Sequence, residues 1–235
     1  MCIVNTKYFR TMAKIKKKYK FAVIAVDVAI FTIKEGKFQV LLIKMKKKPF
    51  SGMWAAPGGL IKGTESLDSA AKRLLLEKAG VKNVYLEQLY AFGEPKRDPF
   101  GRVVSVAYFA LIPSRGIILK TTIDYADVRW FPVKNLPKLA YDHKEILETA
   151  MRRIKAKLGY TNIAYSLLPK EFALTELQKV YEIILGKKMD KRNFRKKIFS
   201  LNLVKKTPKM QRGAANRPAN LYKFSARKIK VVEIL

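Results

Sequence analysis

Gly59 to Val81 reads GLIKGTESLDSAAKRLLLEKAGV, and this stretch sets the architecture of the first half of the chain. Leu67, Ala71, Leu74 and Leu75 recur at a helical period, so a helix is expected over roughly Glu65 to Ala79. Gly80 is a natural C-terminal stop, because glycine enters the left-handed conformation without strain. Arg73 and Glu77 stand four apart and are placed to pair across one turn, with Glu65 in position to orient either Arg73 or a metal ion. Leu74, Glu77 and Lys78 lie at i, i+3 and i+4 and share one helical face. Their charges cancel, with one carboxylate beside one ammonium.

The flanking sequence reads as mixed α/β. Phe21 to Ile33 and Phe38 to Lys46 are rich in Val, Ile and Phe and read as strands, with Glu35-Gly36 as the hairpin turn between them. A loop, Lys47 to Gly63, carries Pro49, Gly52, Pro57, Gly58 and Gly59. Further strands are expected at Val84 to Phe92, Val103 to Ile112 and Val128 to Phe131. A long amphipathic helix is expected over Lys144 to Lys157, with Leu147, Ala150, Ile154 and Leu158 on one face. The lone His143 sits at its start, where a local capping role is the default expectation.

At 235 residues, with 49% hydrophobic residues, the chain can build one large domain or two smaller ones. The longest apolar run, Phe21 to Ile33, is interrupted by Asp27 and Thr32 and is too short to cross a bilayer. No membrane partner is expected. Cys2 is the only cysteine, which fits a cytoplasmic protein without disulfides. The net charge of +31 implies a polyanionic partner. Because 36 of the 49 basic residues are Lys, a general compositional bias explains part of this charge. Its location is therefore more informative than its total.

The character changes near Gly159 to Leu168. Thr175 and Gln178 match a capping box, and Leu177, Val180, Tyr181, Ile184 and Leu185 follow with helical spacing until Gly186. Asp190 is a good N-cap for a second helix. Phe194, Ile198 and Leu201 form its apolar face, with Lys191, Arg192, Arg195 and Lys196 available for DNA. Leu203-Val204, a Gly/Pro/Asn-rich tip and Leu221 to Phe224 complete a winged helix-turn-helix pattern. From Lys187 to Lys230 there are 16 Lys/Arg and one acidic residue, Asp190. Lys205, Lys206, Lys209 and Arg212 are expected to track the phosphate backbone near the wing.

Two resemblances follow. Gly59, Glu65, Arg73, Glu77, Gly80 and Val81 occupy positions of the Nudix box, G-x5-E-x7-R-E-U-x-E-E-x-G-U, and Pro49-Phe50, Trp54 and Pro57-Gly58-Gly59 resemble its upstream loop. Leu74 and Lys78 stand where that box carries Glu. Phe92-Gly93, Arg97-Asp98-Pro99, Ser105-Val106-Ala107-Tyr108 and the C-terminal phrases LTELQKVYEIILG, DKRNFRKKI and NRPANLYKF resemble the Nudix-related transcriptional regulators of NAD metabolism, the NrtR family. The resemblance covers roughly Phe21 to Phe224. It implies an α/β/α Nudix sandwich over 21–160 and a winged helix over 161–235, after a basic extension at 1–20. It further implies an ADP-ribose effector, double-stranded operator DNA, and a homodimer, and Arg217, beside Pro218, resembles the family's wing arginine, which is expected to enter a narrow minor groove.

Mg²⁺ wants hard oxygen ligands, so one carboxylate beside Lys78 makes a poor metal site. No catalytic residue or metal is therefore expected, and no cofactor is required. Lys78 is either a direct partner of the pyrophosphate or an ordinary surface lysine. Gly58 and Gly59 either admit phosphate to the backbone or simply make a tight turn. Phe50, Trp54 and Tyr108 either stack on adenine or belong to the core. Arg97 and Arg102 are candidate contacts for phosphate or ribose, and Glu94 and Asp98 are the nearby acids that could restore catalysis. The expected function is a repressor that senses ADP-ribose or a related NAD metabolite without cleaving it. The alternative is a divergent Mg-dependent ADP-ribose pyrophosphatase with an appended nucleic-acid-binding domain.

Overall fold

A computed structural model describes residues 21–114, 119, 125–211 and 218–234. The basic extension at 1–20, Arg212 and Arg217 lie outside the described residues. The chain runs β1 (Val23–Lys34), β2 (Lys37–Met45), β3 (Trp54–Ala55), β4 (Gly58–Leu60), α1 (Leu67–Ala79), β5 (Tyr85–Phe92), β6 (Val103–Leu111), β7 (Tyr125–Pro132) and α2 (His143–Tyr160). After a short 3₁₀ turn at Ile163–Ser166 come β8 (Phe172–Ala173), α3 (Leu174–Leu185), α4 (Lys191–Ser200), β9 (Val204–Gln211) and β10 (Ala219–Phe224).

The β1–β2 hairpin turns where expected. Glu35 and Gly36 both have positive φ (53° and 69°), as a two-residue primed turn requires. β1 then serves three neighbours, pairing antiparallel with β2 and β4 and parallel with β6. β3 and β7 add to β2, and β5 adds to β6, giving a seven-stranded mixed sheet. Alternation along β1 serves two cores. Ala29 and Phe31 face α2, while Val26, Val28 and Ile30 face α1, where they meet Leu74 and Leu75. Helix, sheet and helix form the expected three layers.

α1 begins after Ser66, whose hydroxyl accepts the Ser69 N–H, and ends on Gly80 at φ 66°. Leu74 is buried in the core under this helix, so its position on the apolar stripe is realised. The winged half uses β8, β10 and β9 as its sheet. Its core joins Tyr181 to Phe194 at a 5.3 Å ring separation and Phe172 to Phe224 at 5.0 Å. The expected capping box at Thr175 and Gln178 is corrected. α3 starts two residues earlier, and Glu176 accepts the Ala173 N–H. Gln178 instead donates to the Met189 carbonyl, tying α3 to the turn before α4. Asp190 caps α4 as expected, accepting the Asn193 N–H at 2.7 Å.

Candidate functional site

The parallel and antiparallel neighbours of β1 bring four segments around one pocket of about 540 Å³. β1 supplies Asp27, β4 supplies Gly58 and Gly59, the β5–β6 loop supplies Arg97 and Arg102, and the start of α2 supplies His143. Asp27 is 6% exposed, in the middle of an otherwise apolar strand. A buried carboxylate must be paired. Here Ser105 Oγ donates to it at 2.6 Å, and Arg97 lies 3.5 Å away. Arg97 also holds Asp142 with two bonds, Nε to Oδ2 at 2.7 Å and a terminal nitrogen to Oδ1 at 2.6 Å. Burial works against the Arg97 charge, but Asp142 and Asp27 outweigh it and raise its pKa further.

His143 completes the cluster. The Ala56 N–H donates to its Nδ1 at 2.9 Å, so the ring proton sits on Nε2, which faces Asp27 Oδ1 at 3.5 Å. This corrects the expected local capping role, since His143 instead bridges α2 to the centre of the sheet. Gly58 is required by the same cluster. A Cβ there would stand 1.9 Å from Asp27 Oδ1 and 3.1 Å from the Val26 carbonyl oxygen. At Gly59 the nearest atom to a Cβ is Leu74 Cδ2, at 3.2 Å. Both glycines therefore let β4 lie flat against the pocket wall.

The charged residues of the opening stretch form a second, separate cluster. Arg73 binds Glu65 through Nε at 2.9 Å and a terminal nitrogen at 2.6 Å, reaches Glu77 at 3.2 Å, and donates to the Leu60 carbonyl. The Arg73 bond and the Lys62 backbone N–H hold the Glu65 carboxyl at about 2. Arg73 thus engages Glu65 and Glu77, while Asp68 is taken by Tyr108. Lys78 lies with Nζ 4.4 Å from the ring centre of Tyr125, which itself lines the pocket.

Several expected ligand contacts fall elsewhere. Tyr108 is buried, and its hydroxyl donates to Asp68 at 2.6 Å; burial and Asp68 raise its pKa. Its ring is committed to the core and does not line the pocket. Phe50 packs on Tyr141 at 4.2 Å, and Trp54 packs edge-on against Phe131 at 4.5 Å. Arg102 lines the pocket and donates to the Gly93 carbonyl at 2.6 Å. Asp98 also lines it, while the exposed Glu94 does not. Sequence reading does not bring Asp27, Ser105 and Asp142 together with Arg97, as the structure does. The available signal was Asp27 itself, a charge flanked on both sides by apolar residues of β1.

In the winged half, Phe194 and Ile198 turn α4 inward and leave Lys191, Arg192 and Lys196 exposed. Arg195 departs from the expected outward direction. It is half-buried, and its Nε is enclosed without a hydrogen-bond partner among the described residues. Lys205 and Lys206 are exposed on β9, whereas Lys209 is engaged with Glu171 at 2.9 Å.

Residues 23–151 match the NUDIX domain family, and residues 164–224 match the NrtR DNA-binding winged helix domain family. The chain is 39% identical over 215 residues to the ADPR responsive transcriptional repressor NtrR of Acinetobacter baylyi, a match spanning 89% of this chain and 85% of that protein. The crystal structure of Shewanella oneidensis NrtR complexed with a 27mer DNA is 34% identical with a TM-score of 0.78, over 86% of this chain and 93% of that one. The Nudix domain of the same protein complexed with ADP ribose is 32% identical with a TM-score of 0.56, over 65% of this chain and 99% of that one.

Proposed function

Because the chain belongs to the NrtR family of Nudix-related transcriptional regulators, we propose that it is a repressor that binds operator DNA through α4 and the wing and senses ADP-ribose through its Nudix domain. The observation that carries the non-catalytic part is the state of the box. Leu74 is buried in the core, Glu65 and Glu77 are both engaged by Arg73, and Lys78 places a cation beside the pocket. This donor set does not fit Mg²⁺, which wants several hard oxygen ligands together with substrate phosphate. ADP-ribose would instead set its pyrophosphate against the backbone of Gly58 and Gly59, with Lys78 and Arg102 supplying positive charge. A pocket of about 540 Å³ suits a ligand of that size.

Residues 21–160 act as the sensor and 161–235 as the DNA-binding unit, in a cytoplasmic homodimer that meets two half-sites. Ligand changes operator affinity by favouring one dimer geometry, and DNA changes ligand affinity by the same factor. A second reading, a divergent ADP-ribose pyrophosphatase, draws on Asp98, a pocket-lining acid available as a displaced base. Incubating the protein with ADP-ribose and Mg²⁺ separates the two. Intact ADP-ribose together with saturable binding supports the sensor, and release of AMP and ribose phosphate supports the enzyme.

A further inference from the structure

A second cleft, of about 660 Å³, opens between the sensor and the winged half. From the sensor side, Lys37 follows the β1–β2 turn and Lys134 follows β7. From the other side come Lys179 on α3 and Lys187 and Lys188 in the turn that leads to α4. Glu182 is the one carboxylate in the lining among the described residues. It accepts the Met189 N–H at 2.9 Å and the Gln178 amide at 3.2 Å, and stands 3.8 Å from Lys188. Lys37, Lys134, Lys179 and Lys187 make no ion pair among the described residues.

Five lysines that line one concave surface raise its positive potential, and concavity focuses their field outward. That arrangement suits a polyanion. The cleft adjoins the N-terminus of α4, since Lys188 is two residues from the Asp190 cap. The N-terminal residues of a recognition helix meet the bases, so the backbone flanking those bases must pass nearby. We propose that this cleft is a second DNA-backbone surface, in which Lys37 and Lys134 of the sensor domain contact phosphates beyond the segment read by the winged helix. The proposal rests on the reading that α4 and the wing bind duplex DNA. It gives the sensor a direct hold on the operator, so that ligand acts on DNA at the cleft as well as through dimer geometry.

The test is the salt dependence of binding to a fluorescein-labelled random duplex of about 40 base pairs, since each phosphate contact adds about 0.9 to the slope of log affinity against log salt. K37Q/K134Q is expected to lower the slope by about 2 and to weaken binding about 30-fold at 0.15 M salt. K72Q/K155Q removes the same net charge from exposed positions elsewhere on the sensor and is expected to change the slope by less than about 0.5. Equal losses in the two pairs, or no loss in the first, overturn the proposal while wild-type binding upholds the winged-helix reading. Failure of the wild-type protein to bind duplex overturns both.

Discussion

Replacing Arg97 with Ala removes the cation from a site that holds two carboxylates. The guanidinium is 3% exposed, and the side chains of Asp27 and Asp142 are 8% and 17% exposed. With Arg97 present the three groups sum to one negative charge; without it they sum to two. Removing one partner of such a buried network costs about 3–5 kcal/mol. For a chain of this size that corresponds to a fall in Tm of about 6–20 °C. Guanidinium unfolding of R97A, D142A and R97A/D142A gives the coupling directly. The double variant loses both members of the bidentate pair and leaves Asp27 with Ser105, so the two changes are expected to be non-additive by about 2 kcal/mol. R97A within about 1 kcal/mol of wild type, or single costs that add to within about 0.5 kcal/mol, would refute the claim that this cluster frames the pocket.

Lys78→Ala is expected to weaken ADP-ribose binding about tenfold by calorimetry, the scale of one charge-assisted bond to phosphate; unchanged affinity would make Lys78 a surface lysine packed on Tyr125. Glu65 has a depressed pKa of about 2 against an ordinary 4.5, so its contribution to stability is fully present above about pH 4.5 and is lost as pH falls towards 2. Acid titration of unfolding should therefore flatten across that window in E65Q, and an unchanged titration would argue against the Arg73 pairing. L74E/K78E restores the acidic pattern of the box, yet it drives a carboxylate into the core beneath α1. We expect a sharply lower Tm with no turnover of ADP-ribose, measured by scanning calorimetry and by product chromatography.

Much of the fold was legible because it is written in local pattern. The Glu35-Gly36 turn, the stripe Leu67, Ala71, Leu74 and Leu75, the stop at Gly80 and the cap at Asp190 each depend on neighbours within a few residues. The candidate site was only half legible, because it depends on long-range pairing. Arg97 read as an exposed phosphate contact, since nothing local reveals that Asp27 and Asp142 enclose it from 70 and 45 residues away. Tyr108 read as either a stacking ring or a core residue, and only the parallel pairing of β6 with β1 decides for the core, where Asp68 takes its hydroxyl. Thr175 and Gln178 fit a capping pattern that lost to Ala173 and Glu176, because β8 pairs with β10 and fixes where α3 can begin. The lone Asp27 was the readable clue to the cluster, since a charge in an apolar strand implies a buried partner.

The central claim is that ADP-ribose bound in the Nudix domain, uncleaved, sets the affinity of the winged helix for its operator. The most direct measurement takes a duplex selected from a random pool by this protein and titrates it by fluorescence anisotropy with and without saturating ADP-ribose, recovering the nucleotide afterwards. The account predicts a change in operator affinity of about 5- to 150-fold, with the ADP-ribose returned intact. An affinity that does not move, or a nucleotide returned as AMP and ribose phosphate, would contradict it.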